Sequence, residues 1–201
     1  MAYATLTELK TFIGIPGADT QDDAVLTMAL DAATAQVDGY TDRTFTATAG
    51  TREYFATDSR ALTVDPIAST VDLVVRTDDN GDGTYETTWA AGEYRLEPIN
   101  AADQSKPWTR IVAIGTRSFP TGTTHPGVQI TATFGWPGGV PPAPVKLATL
   151  IQASRLFKRK DAPFGVAGSV EFGSEMRLLN EVDRDAQNLL RPYRRSWYVV
   201  V

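Results

Sequence analysis

The densest set of ligating oxygens in the chain is the nine-residue run Asp78-Asp79-Asn80-Gly81-Asp82-Gly83-Thr84-Tyr85-Glu86. Asp78, Asn80, Asp82 and Gly83 stand at positions one, three, five and six of an EF-hand calcium loop, which opens with spaced side-chain oxygens and a glycine turn. Position twelve of such a loop supplies a bidentate carboxylate, and here it is Trp89. Glu86 offers a carboxylate only from a different place. The residues that would ligate a cation are therefore Asp78, Asn80, Asp82 and Glu86. The competing reading is a β-hairpin tip, because Asn80-Gly81 and Asp82-Gly83 supply residues that accept the positive φ of tight turns. The expectation is the turn, with no metal and no cofactor.

Other chemistry has little to stand on. His125 is the only histidine, within the loop-like Thr121-Gly122-Thr123-Thr124-His125-Pro126-Gly127. A triad or an imidazole metal site would have to use it alone. The chain has no cysteine, which excludes disulfides, thiolate metal sites and a cysteine nucleophile. Asp58, Asp65, Glu86, Glu93 and Glu97 could do acid–base work, but no spacing marks a pair. The glycines of 135–139 and 165–173 lack the Lys-Ser/Thr of a phosphate loop and the dinucleotide pattern after a strand. The expectation is a protein that is not an enzyme.

The elements that would position these residues fall into three stretches. Residues 1–43 read helical. Thr5 and Glu8 have capping-box spacing, Leu6, Leu9, Phe12 and Ile13 share a side, and Gly14 with Pro16 ends the turn. A second helix is expected over 22–40, with Val25, Leu26, Ala29, Leu30, Ala33, Val37 and Tyr40 on one face. Its alanines make a thin face for close approach of another helix.

Residues 51–136 switch to period two, with strands expected at 52–56, 62–65, 71–76, 85–89, 94–97, 108–114 and 128–134. Residues 137–201 return to helix. One helix is expected over 144–158 with Arg155, Lys158, Arg159 and Lys160 at its end, where cations suit the dipole. A Gly-rich loop over 161–175 and a last helix over 178–191 follow. The fold class expected is α+β: a small bundle of about four helices, made from 1–50 and 137–195, with an antiparallel β lobe inserted at 51–136.

Composition sets the remaining bounds. A hydrophobic fraction of 42% is enough for a core, so a wholly disordered chain is not expected. Met1-Ala2-Tyr3-Ala4-Thr5 has neither a basic region nor an apolar run, so no signal peptide is expected. No apolar stretch approaches the roughly 20 residues of a spanning helix, so no membrane is expected. Net charge is −5, split as +3 over residues 151–201 (nine Lys/Arg, six Asp/Glu) and −8 over the rest (ten and eighteen). Such a split suits head-to-tail docking on identical copies, or is an acidic surface with ordinary basic helix ends. The acidity argues against a duplex-binding stripe.

The end of the chain, Trp197-Tyr198-Val199-Val200-Val201, has no charged side chain. Val199–Val201 could add a strand to an open sheet edge with Trp197 as an anchor; alternatively the tail folds back on its own core. Arg191, Arg194 and Arg195 stand just before it, as a partner contact or a solvated helix end.

Several segments together resemble a known family. They are Thr5-Leu6-Thr7-Glu8-Leu9-Lys10 with Ile13-Gly14-Ile15, and Asp22-Asp23-Ala24-Val25-Leu26 leading to Ala32-Ala33, Val37 and Tyr40. Phe134-Gly135-Trp136 with Val140-Pro141 and Val145-Lys146, Ala162-Pro163-Phe164-Gly165, and Leu189-Leu190-Arg191-Pro192-Tyr193-Arg194 complete them. The chain resembles the head–tail connector (adaptor, head-completion) proteins of long-tailed bacteriophages, in a longer form with a β insertion. The resemblance implies a structural subunit in a homo-oligomeric ring of about twelve copies. That ring lies below the portal protein, extends the DNA channel, and docks the stopper or tail-side connector. DNA would pass the lumen without specific binding. The protein would be in the virion at the head–tail interface, and in the host cytoplasm during assembly. The helices at 22–40 and 144–158 would build the ring. The loop at 161–175, with Phe164 and Phe172, and the tail at 196–201, with Trp197, Tyr198, Val199, Val200 and Val201, would meet partners together with Arg191, Arg194 and Arg195.

The alternative is a carbohydrate- or surface-binding β module with a calcium-stabilised loop. Trp89, Trp108 and Trp136 would form its aromatic platform.

Overall fold

The computed structural model describes residues 2–160, 166–167, 176–177 and 182–195. Among these residues the chain is α+β, with four α-helices and eight strands. It groups into a helical unit, residues 1–43 with 141–201, and a β unit, residues 44–140.

In the helical unit, α1 (Leu6–Ile13) starts where its cap dictates. The Glu8 N–H donates to the Thr5 hydroxyl at 3.2 Å, and the Thr5 N–H donates to Glu8 Oε2 at 2.7 Å. Two N–H groups that the helix leaves without partners are thus satisfied reciprocally. Gly14, with φ 78°, closes the last turn in the left-handed conformation. Next come α2 (Asp23–Thr41) and α3 (Ala143–Lys158). Leu9, Leu26, Leu30, Ala33, Leu150 and Ala153 form a core among the three helices. Ala33 and Ala153 are both fully buried, and their small side chains let helix backbones come close. Of the apolar positions expected inward on α2, Val25 is instead exposed. Lys10 is buried, forms an ion pair with Asp23 and donates to the Asp19 carbonyl at 2.6 Å, as a buried cation requires.

The last helix is shorter than the sequence suggests. α4 spans Arg184–Leu190 and begins at Asp183, whose carboxylate accepts the Asp185 N–H at 2.9 Å. Upstream, β7 (Val166–Ala167) pairs antiparallel with β8 (Met176–Arg177), so the expected loop over 161–175 contains strand residues. A buried Gln152 on α3 ties this region down. Its amide donates to Gln36 on α2 at 2.6 Å, and its carbonyl accepts the Asp183 N–H at 2.9 Å. Arg155 donates to Asp183 at 3.0 Å. The N-terminus of α4 is thereby fixed against α3.

The β unit is an antiparallel sheet of β1 (Thr48–Tyr54), β2 (Ala61–Thr77), β3 (Thr87–Thr88), β4 (Tyr94–Glu97), β5 (Trp108–Ala113) and β6 (Val128–Phe134). The order is β1-β6-β2-β5-β4, with β3 on β2. In β6, Val128, Ile130, Ala132 and Phe134 are buried and the residues between them are half-buried, the period of two that the sequence carries. Together with Leu62, Val64, Ile67, Val75, Trp89, Ile111 and Phe119 they make the core of this unit.

The sheet corrects three expectations. The separate strands over 62–65 and 71–76 are one strand of 17 residues. Pro66 and Asp72 suggest a break, but pairing shifts register between Thr63 and Ile67 and again between Ser69 and Val74. Proline is tolerated at such an irregularity, and Asp72 adopts φ 61° inside the second shift. The strand expected over 85–89 shrinks to Thr87–Thr88, and Tyr85, outside it, donates its hydroxyl to the Pro126 carbonyl at 2.9 Å. The first strand lies at 48–54 rather than 52–56, in register with all of β6.

Gly135 explains part of the Phe134-Gly135-Trp136 motif. Its φ is 126°, and a Cβ there would lie 2.0 Å from the Thr46 carbonyl oxygen. Only glycine permits this approach. Trp136 then packs on Phe45, with ring centroids 5.1 Å apart.

Candidate functional site

The loop between β2 and β3 is organised by one carboxylate. Asp78 follows directly on β2 and is buried, while Asn80, Asp82 and Glu86 are exposed. Its Oδ1 accepts the N–H groups of Gly81 at 2.7 Å and Asp82 at 3.3 Å. Its Oδ2 accepts the Gly83 N–H at 2.8 Å and lies 2.6 Å from His125 Nε2. Around the rim, Asp82 accepts the Thr84 N–H at 2.8 Å, and Asn80 accepts the Asp82 N–H at 2.9 Å. Gly81 and Gly83 take φ 79° and 89°, the left-handed turns expected of Asn-Gly and Asp-Gly.

The electrostatics follow from this geometry. The His125 hydrogen bond, reinforced by the Gly83, Gly81 and Asp82 amides, holds the Asp78 carboxyl down at about 2, against an opposing desolvation. The carboxylate is ionised, so the imidazole Nε2 is the donor.

The carboxylates of Asp78, Asp82 and Glu86 come within 4.8 Å of one another. A carboxylate has about four lone-pair sites, and the four donors to Asp78 use them. Trp89, at the twelfth position, donates its indole N–H to the Thr77 hydroxyl at 3.0 Å and offers no oxygen. The arrangement is a hydrogen-bonded loop closed by protein donors. It is wider than a two-residue hairpin tip, because only Arg76–Thr88 and Thr77–Thr87 pair across it. His125 is the participant that sequence reasoning missed. Its one signal was a lone imidazole between two turn-forming stretches, which does not name a partner 47 residues away.

The aromatic residues do not form a shared platform. Trp89 is buried and stacks on Phe119 at 4.6 Å between centroids, Trp108 packs against the core of the β unit, and Trp136 packs on Phe45.

The expected interaction residues divide in two. Arg191 and Arg194 are exposed on the turn after α4, and Arg194 lies over Tyr40 with 5.1 Å from guanidinium carbon to ring centroid. The Arg195 N–H donates to the Thr41 carbonyl at 2.9 Å, so the chain reaches residue 195 from a fixed point on the end of α2. Phe164, Phe172, Trp197, Tyr198, Val199, Val200 and Val201 lie outside the described residues, as do residues 178–181 of the expected last helix. A surface that sequence reasoning did not single out is the outer edge of β1. Its first four residues, Thr48, Ala49, Gly50 and Thr51, are all exposed.

Comparison with known proteins bears on the whole chain. Residues 3–90 match the family model of the phage gp6-like head-tail connector proteins, a stretch that runs from before α1 to just after β3. No curated protein matches the chain. A chain from the neck of an empty gene transfer agent (GTA) particle computed with C6 symmetry has a TM-score of 0.60 at 22% identity. The match covers 99% of this chain and 93% of that one. A chain from the neck of the native GTA particle computed with C12 symmetry has a TM-score of 0.58 at 22% identity, covering 98% and 91%. A chain from the virion of the native GTA particle gives 0.58 at 21% identity, covering 99% and 93%. Over residues 3–90, therefore, this chain matches the phage gp6-like head-tail connector family, and along nearly all its length it has the fold of chains from the gene transfer agent neck.

Proposed function

We propose that this chain is a structural subunit of the neck of a phage-like particle, joining head to tail. One coincidence carries the reading. The family match covers α1, α2 and the first three strands, and the fold recurs over 99% of the chain in a neck protein. The necks whose chains share this fold were computed with C6 and C12 symmetry, which supports a cyclic ring, with about twelve copies closing through heterologous contacts. The ring sits below the portal, extends the DNA channel and presents a face to the stopper or tail-side connector. The protein then belongs to the virion, and to the host cytoplasm while particles assemble. The β unit is an insertion in the helical connector core, and residues 196–201 are an interaction tail.

The physical features agree with such a role. Residues 1–150 carry a net −8 and residues 151–201 a net +3, which suits contacts between copies. An acidic lining would let DNA pass, whereas a basic one would hold phosphates. Arg191 and Arg194 are exposed where the chain leaves α4, in position to meet acidic groups of a neighbour. Among the described residues no helix is long and apolar enough to cross a membrane. Joining is a binding function, and the role asks for no catalytic residue.

Complementation tests the reading. Particles made without this chain should accumulate as DNA-filled heads and free tails, and the purified protein should restore joining. Complete, infectious or transducing particles made without it would contradict the proposal.

A further inference from the structure

The sheet of the β unit ends in two edges that differ in protection. On the β4 side, Arg95 and Glu97 are charged and bonded to each other at 3.0 Å, and Pro98 follows at once. Charges and proline are the usual guards of an exposed edge, since both discourage another strand from pairing. The β1 side lacks them over its first half. Thr48, Ala49, Gly50 and Thr51 are uncharged and exposed, and among the described residues β1 pairs only with β6. An open, unguarded edge is a template for strand addition.

Gly50 sharpens the point. A Cβ there would meet nothing within 4 Å, and its φ is not in the left-handed range. Neither the backbone nor packing within the chain asks for glycine. Glycine weakens a strand, and often marks a place where another backbone comes close. An aromatic side chain on an adjoining strand can cover such a bare position.

The chain itself contains a segment of matching chemistry. After Arg195, whose N–H is fixed to Thr41, come Ser196-Trp197-Tyr198-Val199-Val200-Val201. The segment has no charged side chain, and is rich in the aromatic and β-branched residues that favour strands. Six extended residues reach about 20 Å. The four unguarded residues of β1 occupy about 13 Å, so the segment can pair with all of them and keep its first residues as a lead.

We infer that residues 196–201 of one copy add as a strand to the outer edge of β1 in a second copy, with Trp197 or Tyr198 covering Gly50. This rests on the ring reading above, in which each copy meets a neighbour of the same chain. It goes further in naming donor and acceptor.

The absence of native cysteine makes the test clean. Ala49→Cys or Thr51→Cys is combined with Val199→Cys or Val200→Cys, giving four double variants that cover both faces of the added strand. Each is oxidised, alone and with cognate portal particles, and its mass is followed in parallel under non-oxidising conditions. At least one pair should give a covalent ladder beyond the dimer, while single variants stop at the dimer. Arg95→Cys with the same tail cysteines should give no ladder.

Assemblies of normal mass with no cross-link in any of the four pairs would overturn the inference and leave the ring intact. So would cross-links confined to one chain, to the β4 edge, or to the portal. A chain that stays monomeric with and without portal would remove the ring reading, and this inference with it.

Discussion

His125 Nε2 lies 2.6 Å from Asp78 Oδ2, joining the loop before β6 to the loop after β2 across 47 residues of sequence. Asp78 is buried and gathers the amides of Gly81, Asp82 and Gly83 as well. One carboxylate therefore holds the end of β2, the turn and a distant loop in place.

Removing that carboxylate should cost stability. Asp78→Ala removes the acceptor of the Gly81 and Gly83 amides and of His125, while the Asp82 N–H keeps Asn80 Oδ1, so the bonds that organise the loop are lost. The melting temperature should fall by several degrees, as expected for a chain of this size. His125→Ala should lower it less, since the amides keep their acceptor. Equal melting of Asp78→Ala and wild type would contradict this reading.

The same carboxylate sets an acid-sensitive step. Its folded pKa, about 2, lies below the ordinary 3.8, chiefly because His125 hydrogen-bonds the charged form. Between those values the unfolded chain binds the proton and the folded chain does not. Stability from Asp78 is therefore fully present above about pH 4 and lost as the pH falls toward about 2. Glu8, Asp82 and Glu93 are also lowered, held chiefly by Lys146, Thr84 and Arg117. Comparison with Asp78→Asn isolates the one group. Urea melts from pH 5 to 2 should show a shallower decline in the variant, and parallel declines would refute the assignment.

Calcium should leave the protein's melting temperature within about 1 °C of its value in chelator, because the Asp78 lone pairs are already used. A rise of several degrees in millimolar calcium would mean that the ion displaces His125 or the amides. It would turn attention to Asp82 and Glu86, which stand within reach of Asp78.

Two glycines should respond in opposite ways. Gly135→Ala puts a Cβ 2.0 Å from the Thr46 carbonyl oxygen at φ 126°, and should cost on the order of 3 kcal/mol or prevent folding. Gly50→Ala meets nothing within 4 Å and should lie within about 0.5 kcal/mol of wild type. Chemical denaturation of both variants measures the contrast. Similar values for the two would show that the close approach at Gly135 does not exist.

What was legible in the sequence is local. The Thr5–Glu8 cap needs four consecutive residues, and the alternation of β6 needs seven, so both could be read directly. The α+β class followed from the change of period along the chain. Features set by distant neighbours could not be read. β2 runs through Pro66 and Asp72 because β5 and β6 hold it on either side of its irregularities. α4 starts late because Asp183 is tied to Gln152 and Arg155 on α3. Trp89 was expected on a strand and as part of an aromatic platform, but its burial on Phe119 depends on a segment 30 residues further on. Asp78 stood out as a ligand candidate, and only the fold supplied the histidine that takes its second oxygen.

The most direct measurement is mass by light scattering, on the protein alone and then with cognate portal particles. A neck ring subunit should add to each portal particle in a fixed multiple of twelve or six, the symmetries with which the necks of similar fold were computed. A protein that stays monomeric and adds no mass to the portal, across salt and concentration, would contradict the proposed role.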